Sequence, residues 1–136
     1  MTWRQSLIRI SNHEVETLQK RLAEIVDRRR QVEVRIALLE AEAEAESRGV
    51  GADAGAQRDL AEYMKGVKVR RGVLKGAVDA IMAEEHGARD ALTLAFESLK
   101  KFEQVAEMAR LADEREAARR ETQAMDEMGA RAAARR

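Results

Sequence analysis

The sequence contains no cysteine and no proline, and each absence narrows what the chain can be. Without cysteine it can form no disulfide, no thiolate zinc site and no thiol nucleophile. Proline breaks helix interiors, so its absence from all 136 residues permits unusually long helices. The aromatic residues are Trp3, Tyr63, Phe96 and Phe102. Aromatic side chains contribute heavily to compact cores, so a globular core is not expected here.

The chain also lacks an excess of charge of either sign, with 25 Lys and Arg against 25 Asp and Glu. General nucleic-acid binding needs an uncompensated basic surface, so we expect no nucleic-acid partner. No apolar run approaches the roughly 20 residues that span a bilayer. The first residues, MTWRQSLIRISNHEVE, lack the apolar region of a secretory signal, so a cytoplasmic protein is expected. Charged residues make up 37% of the chain, a composition typical of long helices or coiled coil.

A heptad pattern dominates the first third of the chain. A 3.5-residue period of apolar side chains places one stripe of a helix, here called the seam, against a partner helix. The pattern predicts residues 1–46 as the first coiled-coil helix. Nine of its eleven seam positions are apolar, and the eleven are Ile8, Ser11, Val15, Leu18, Leu22, Ile25, Arg29, Val32, Ile36, Leu39 and Ala43.

The pattern stops in SRGVGADAGAQ, residues 47–57, where clustered glycines predict a connecting loop. A second seam then predicts a coiled-coil helix over residues 58–111. Two long helices joined by one short loop fold back as an antiparallel hairpin, so the expected fold is all-α. The second seam comprises Leu60, Met64, Val67, Arg71, Leu74, Val78, Ile81, Glu85, Ala88, Leu92, Ala95, Leu99, Phe102, Ala106 and Ala109.

If the two helices pair symmetrically about the loop, the second helix continues beyond the end of the first. In that register, residues from about 97 onward have no partner within the chain. The remaining 40 residues would extend roughly 60 Å as a helix. We expect residues 112–136 to form a helical overhang that is partly frayed. The predicted pairs are Ala43 with Leu60, Ile36 with Val67, Leu22 with Ile81, and Ile8 with Ala95.

Chemistry-bearing motifs are scarce, and no catalytic, cofactor-binding or metal-binding residue is predicted. The only histidines are His13 and His86. A two-helix hairpin offers them no deep pocket that would exclude water. The glycine-rich GVGADAG lacks the lysine and the Ser or Thr of a phosphate-binding loop. The chain is therefore not expected to be an enzyme.

Basic residues form a second feature, which we call the basic belt. Arg29 and Arg71 occupy seam positions, where a charge lowers stability but helps to set register. Two interpretations stay open: the long side chains reach from the seam to water, or the belt docks onto an acidic protein surface. Exposed apolar residues at the same level, among them Leu38 and Val69, favour a protein-binding surface. The basic belt comprises Arg28, Arg29, Arg30, Arg35, Lys68, Arg70 and Arg71.

The chain resembles the FliJ family of the bacterial flagellar export apparatus. The segment NHEVETLQKRLAEIV, residues 12–26, is similar to the family's N-terminal helix, and the length matches. The end of the chain is the most specific feature: Met-Asp-Glu at 125–127 and Arg-Ala-Ala at 131–133 resemble the family's ending. Met128 stands where the family often has an aromatic residue, and Gly129 where alanine is usual.

The resemblance implies a function without chemistry of its own. FliJ proteins look like the central stalk of rotary ATP synthases. They bind the hexameric flagellum-specific ATPase, which has its own stator, and promote its activity. They also link it to the membrane export gate protein and to export chaperones. A member would be cytoplasmic and peripheral at the cytoplasmic face of the inner membrane, held there through its partners.

The resemblance also implies two sets of contact residues. The export-gate surface would include Leu39, Tyr63 and Val67, although Leu39 and Val67 are also seam residues. The ATPase would be bound by the tail, through Gln123, Met125, Asp126, Glu127 and Arg131. The alternative is a self-associating structural coiled coil, a scaffold or filament component, which concentration-dependent oligomerisation would reveal. Whether the system is flagellar or a related injection system stays open.

Overall fold

The computed structural model describes residues 2–135, and that range consists of two α-helices with one short connection. Helix α1 spans Trp3–Gly49, 47 residues, and helix α2 spans Ala54–Ala134, 81 residues. No strand occurs in this range, so the expected all-α helical hairpin with a longer second helix is confirmed. Helix α2 continues to Ala134, through the segment where partial fraying was expected.

Side chains at the helix starts explain where each helix begins. The Gln5 amide donates to Thr2 Oγ1 at 3.2 Å, and the Thr2 amide donates to Gln5 Oε1 at 3.0 Å. This reciprocal pair satisfies two backbone donors at the start of α1. At the start of α2, the Ala56 amide donates to Asp53 Oδ2 at 3.2 Å, which makes Asp53 the N-cap.

The connection is shorter than the predicted loop of residues 47–57, because it comprises only residues 50–53. Two of the glycines that predicted the loop, Gly49 and Gly55, are helical. No glycine in the described range has a positive φ, so none of them is needed for a left-handed turn. Asp53 ends the connection early by capping α2, and the Gln57 side chain donates to the Gly51 carbonyl at 2.8 Å.

The chain divides into two compact units. The hairpin unit is Glu16–Thr93, and the terminal unit is Met1–Val15 with Leu94–Arg136. In the hairpin unit, Leu39, Ala43 and Val67 form a buried cluster against which Tyr63 and Leu74 pack. The terminal unit has its own buried residues, which are Ser11, Val15, Ala95 and Leu99.

The predicted seam agrees with the burial pattern. Every predicted seam position of α1 is buried or half-buried. On α2, Met64 and Arg71 are exposed, and the other thirteen positions are buried or half-buried. Since no described side chain is less than 2% exposed, the helices bury a narrow stripe rather than a broad core.

The predicted pairing register, in contrast, is wrong. In the hairpin unit, Val67 packs with Leu39 and Ala43 rather than with Ile36. In the terminal unit, Ile8 lines a groove with Ala106, about three helical turns beyond the predicted Ala95.

The seam charges explain the shift. The symmetric register would have set Arg29 against Leu74 and Arg71 against Val32. In the observed register Arg29 Nε lies 2.8 Å from Glu85 Oε2, and Arg71 Nε lies 2.9 Å from Glu40 Oε1. A buried charge without a partner is far costlier than a paired one, so the register that pairs the half-buried Arg29 with the buried Glu85 is favoured. The Arg71–Glu40 pair is exposed and adds little to this preference.

The shift also changes where the overhang starts. In the terminal unit Arg4 forms an ion pair with Asp113, with the nitrogen 3.6 Å from the carboxylate oxygen. Leu99, Phe102, Ala106 and Ala109, expected to lack a partner, are buried or half-buried. The fully exposed segment therefore begins after Glu116 rather than near residue 97.

Candidate interaction surfaces

A charged layer interrupts the seam of the hairpin unit. Glu85 is buried and accepts hydrogen bonds from Arg29 on α1 and from Arg89 on α2, at 2.8 and 2.7 Å. Arg29 also donates to Glu33 at 2.9 Å. These hydrogen bonds, with that from Arg29 foremost, lower the pKa of Glu85 although burial opposes the shift. The layer is fully hydrogen-bonded, which makes its burial tolerable.

The basic belt divides into residues with and without an ion-pair partner. Arg28 pairs with Glu84, Arg29 with Glu85, and Arg71 with Glu40, so these three side chains tie α1 to α2. The remaining four form no ion pair among the described residues, and they are Arg30, Arg35, Lys68 and Arg70. The belt therefore separates into arginines that hold the hairpin together and cations that remain available to a partner.

Two of the available cations border an apolar groove of about 400 Å³ in the hairpin unit. Leu38, Val69 and Val73 present their side chains there, and their residues are 58%, 68% and 69% exposed. Arg35 and Arg70 lie beside them, Glu42 adds one carboxylate, and the seam residues Leu39 and Leu74 complete the lining. We call this the hairpin groove.

The end of α2 has no packed face. Every described residue from 117 to 135 is exposed, in a segment that is helical to Ala134. Its hydrogen-bonded ion pairs run along the helix, from Arg119 and Arg120 back to Glu116. The hydrogen bond from Arg119 lowers the pKa of Glu116 despite some desolvation. Such i,i+3 and i,i+4 pairs give an exposed helix modest support. We call residues 117–135 the tail.

Comparison with known proteins decides the family. A family model described as Flagellar FliJ protein matches residues 5–136. The chain belongs to the FliJ family. Two relatives named Flagellar FliJ protein come from the NA1000 / CB15N and ATCC 19089 / CIP 103742 / CB 15 strains of Caulobacter vibrioides. Each is 50% identical over 132 residues, covering 97% of this chain and 95% of its own. No solved structure matches the chain significantly.

Membership of the FliJ family makes this a flagellar protein with a role related to protein export. The sequence alone left open whether the protein belongs to a flagellum or to a related injection system, and the family matches favour the flagellum. Over residues 2–135, neither helix has a stretch long and apolar enough to cross a membrane.

The residues that the FliJ resemblance assigned to the export gate differ in accessibility. Leu39 and Val67 are only 7% and 5% exposed, because they pack against each other in the hairpin cluster. Tyr63 is half-buried at the edge of that cluster and borders a hollow near the connection. Of the three, only Tyr63 offers appreciable surface.

The residues assigned to the ATPase are all exposed, and they are Gln123, Met125, Asp126, Glu127 and Arg131. The Met125 and Met128 residues are 66% and 69% exposed. Exposed methionines are adaptable apolar contacts of the kind found on protein-binding surfaces.

Sequence reasoning missed the four-residue charged layer. It noted Arg29 and Glu85 as non-apolar seam positions on opposite helices, but did not pair them. Matching seam charges of opposite sign would have given the observed register without a structure.

Proposed function

We propose that this protein is a non-enzymatic stalk of the flagellar export apparatus. It binds the hexameric flagellum-specific ATPase through the tail and promotes ATP hydrolysis. It contacts the membrane export gate protein through the hairpin unit, and it binds export chaperones. Its place is in the cytoplasm, at the cytoplasmic face of the inner membrane, where its partners hold it.

The observation that carries the proposal is the exposure of the whole tail. Helices in proteins gain most of their stability by packing an apolar face, and isolated helices are marginal in water. The tail has exposed apolar side chains, including Met125 and Met128, but no packed face within the described chain. A helix of this kind is suited to gaining its packed face from a partner.

Charge also suits the tail to an encounter with a ring of mixed charges. Three acidic residues, Glu121, Asp126 and Glu127, lie between arginines at 119–120 and at 131 and 135. Mixed charge steers association and fixes orientation, and the contribution is screened by salt. Binding to the ATPase should therefore weaken as ionic strength rises.

Co-elution of the protein with the purified ATPase tests the proposal. Removal of residues 117–136 spares the Arg4–Asp113 pair and the packed residues up to Ala109, so the rest of the chain should keep its fold. We expect the shortened chain to lose co-elution. A Met125→Ser, Met128→Ser chain should bind at least tenfold more weakly. Undiminished co-elution of the shortened chain would contradict the proposal.

Sedimentation of the protein alone separates the proposal from self-association. A stalk that acts through the ATPase should sediment as a 15.3 kDa monomer at micromolar concentrations. A concentration-dependent oligomer that is lost with the tail would instead assign the tail to contacts between copies of this chain.

A further inference from the structure

The hairpin unit carries a second stripe of small and apolar residues beside the seam. On α2, steps of three and four residues connect Gly66, Val69, Val73 and Gly76, and all four are exposed. On α1, the same spacing connects Val34, Leu38, Ala41 and Ala45, again all exposed. A stripe with this spacing is what one helix presents to another. Its repetition on both helices suits this surface to a helical partner.

The glycines of this stripe leave room for close approach. A methyl group added at Gly66 or Gly76 would meet no atom within 4 Å, so the chain itself does not need these positions to be small. Each glycine nevertheless lowers helix stability by about 1 kcal/mol relative to alanine. A partner backbone that lies over Val69 and Val73 would use the space that the missing side chains leave.

Charge defines the partner further. Arg35 and Arg70 border the exposed apolar residues of the hairpin groove, and neither forms an ion pair among the described residues. Arg28 and Arg71, close by in sequence, are already held by Glu84 and Glu40. Two unpaired guanidinium groups beside an apolar groove favour a ligand that brings carboxylates, and Glu42 disfavours one at its own position.

We infer that the hairpin groove binds a single amphipathic helix of a partner protein, with Leu38, Val69 and Val73 receiving its apolar face and Arg35 and Arg70 receiving carboxylates beside that face. The inference deepens the proposed gate contact and rests on it for the identity of the partner. It moves the contact from the buried Leu39 and Val67 to their exposed neighbours.

Binding to the purified cytoplasmic part of the export gate protein tests the inference with the full-length chain. Arg35→Glu with Arg70→Glu, and separately Val69→Ser with Val73→Ser, should each weaken binding at least tenfold. The matched control is Arg30→Glu with Lys68→Glu, which reverses two unpaired cations outside the groove and should leave binding within twofold. Helical content and thermal midpoint, measured for each variant, should match the unsubstituted chain, because all six side chains are exposed.

A second probe distinguishes failure of the inference from failure of the gate contact. It is an 18-residue synthetic helix whose leucine stripe is flanked by glutamates, compared with the same peptide carrying lysines. Preference for the glutamate peptide, lost in Arg35→Glu with Arg70→Glu, supports the inference even if the gate protein does not bind. Gate binding that neither groove variant weakens overturns the inference and leaves the proposed function standing.

Two further results would also overturn the inference. One is equal binding, or no binding, of the two peptides by a chain that also fails to bind the gate protein. The other is a dimer in sedimentation that Arg35→Glu with Arg70→Glu dissociates, since the groove would then be occupied by a second copy of this chain.

Discussion

Arg29 Nε lies 2.8 Å from Glu85 Oε2, and this contact joins α1 to α2 at seam positions that would otherwise be apolar. Replacement of a buried ion pair by apolar residues is often neutral or stabilising, so stability alone does not account for it. Its clearest physical effect is on specificity, because a displaced register leaves both charges without their partners.

Cross-linking of introduced cysteines can determine the pairing register directly, because the natural sequence contains no cysteine. Leu39→Cys with Val67→Cys should form a disulfide under mild oxidation, since the two side chains share the hairpin cluster. Ile36→Cys with Val67→Cys, which matches the symmetric register, should cross-link far more slowly. Faster cross-linking of the second pair would show that the observed register is wrong.

Removal of the Arg29–Glu85 ion pair should allow the two helices to pair in more than one register. Arg29→Leu with Glu85→Leu should fold with a thermal midpoint no lower than that of the unsubstituted chain, because the leucines extend the apolar seam. In this background both cysteine pairs should cross-link at comparable rates. If only the 39–67 pair still cross-links, the ion pair does not set the register.

Acid should destabilise the hairpin through Glu85. Hydrogen bonds, chiefly from Arg29, lower its pKa below the ordinary value of 4.5 in the folded chain. The stability it contributes is therefore present above pH 4.5 and is lost as pH falls through the lower, folded-state pKa. Glu85→Gln should flatten the fall in thermal midpoint between pH 6 and pH 3, whereas Glu24→Gln, an exposed control, should leave it unchanged. Parallel curves for all three chains would contradict this assignment.

Two adjacent leucines should behave very differently in a stability measurement. Leu39 is 7% exposed and Leu38 is 58% exposed. Leu39→Ala removes a buried side chain and should lower the free energy of unfolding by about 2–3 kcal/mol. Leu38→Ala should change it by less than about 0.5 kcal/mol, while weakening partner binding at the groove. Similar losses in urea denaturation would contradict the assignment of Leu39 to the core and Leu38 to the surface.

The glycines within α2 should be replaceable with a gain in stability. Gly72 and Gly76 are helical, and a methyl group at either would meet nothing within 4 Å. Gly72→Ala and Gly76→Ala should each raise the free energy of unfolding by about 1 kcal/mol. Gly51→Ala, in the connection, is the control and should change it little. A loss of stability at position 72 or 76 would mean that the helix is strained there.

The sequence predicted which side chains face inward better than it predicted which of them meet. Heptad spacing is local, so Leu39 and Val67 could both be assigned to the seam from their own helices. Their contact depends on register, which the spacing leaves undetermined by whole turns. Arg29 and Glu85 carried the missing information, but only as a pair across 56 residues.

The sequence predicted the residue boundaries of the connection, the tail and the hairpin groove less well. Glycines predicted a loop of residues 47–57, whereas the Asp53 cap starts α2 early and two of those glycines, Gly49 and Gly55, are helical. Tail exposure was foreseen from its sparse apolar residues, but its start was misplaced because that depended on register. The hairpin groove was visible only as apolar residues outside the seam, and their grouping with unpaired Arg35 and Arg70 needed the fold.

The rate of ATP hydrolysis by the purified flagellum-specific ATPase tests the stalk function. Full-length protein should raise the rate in a salt-sensitive manner. The chain that lacks residues 117–136 should leave the rate at its basal value, although circular dichroism shows the remaining helices folded. Stimulation by the shortened chain equal to that by the full-length protein would contradict a tail that acts on the ATPase.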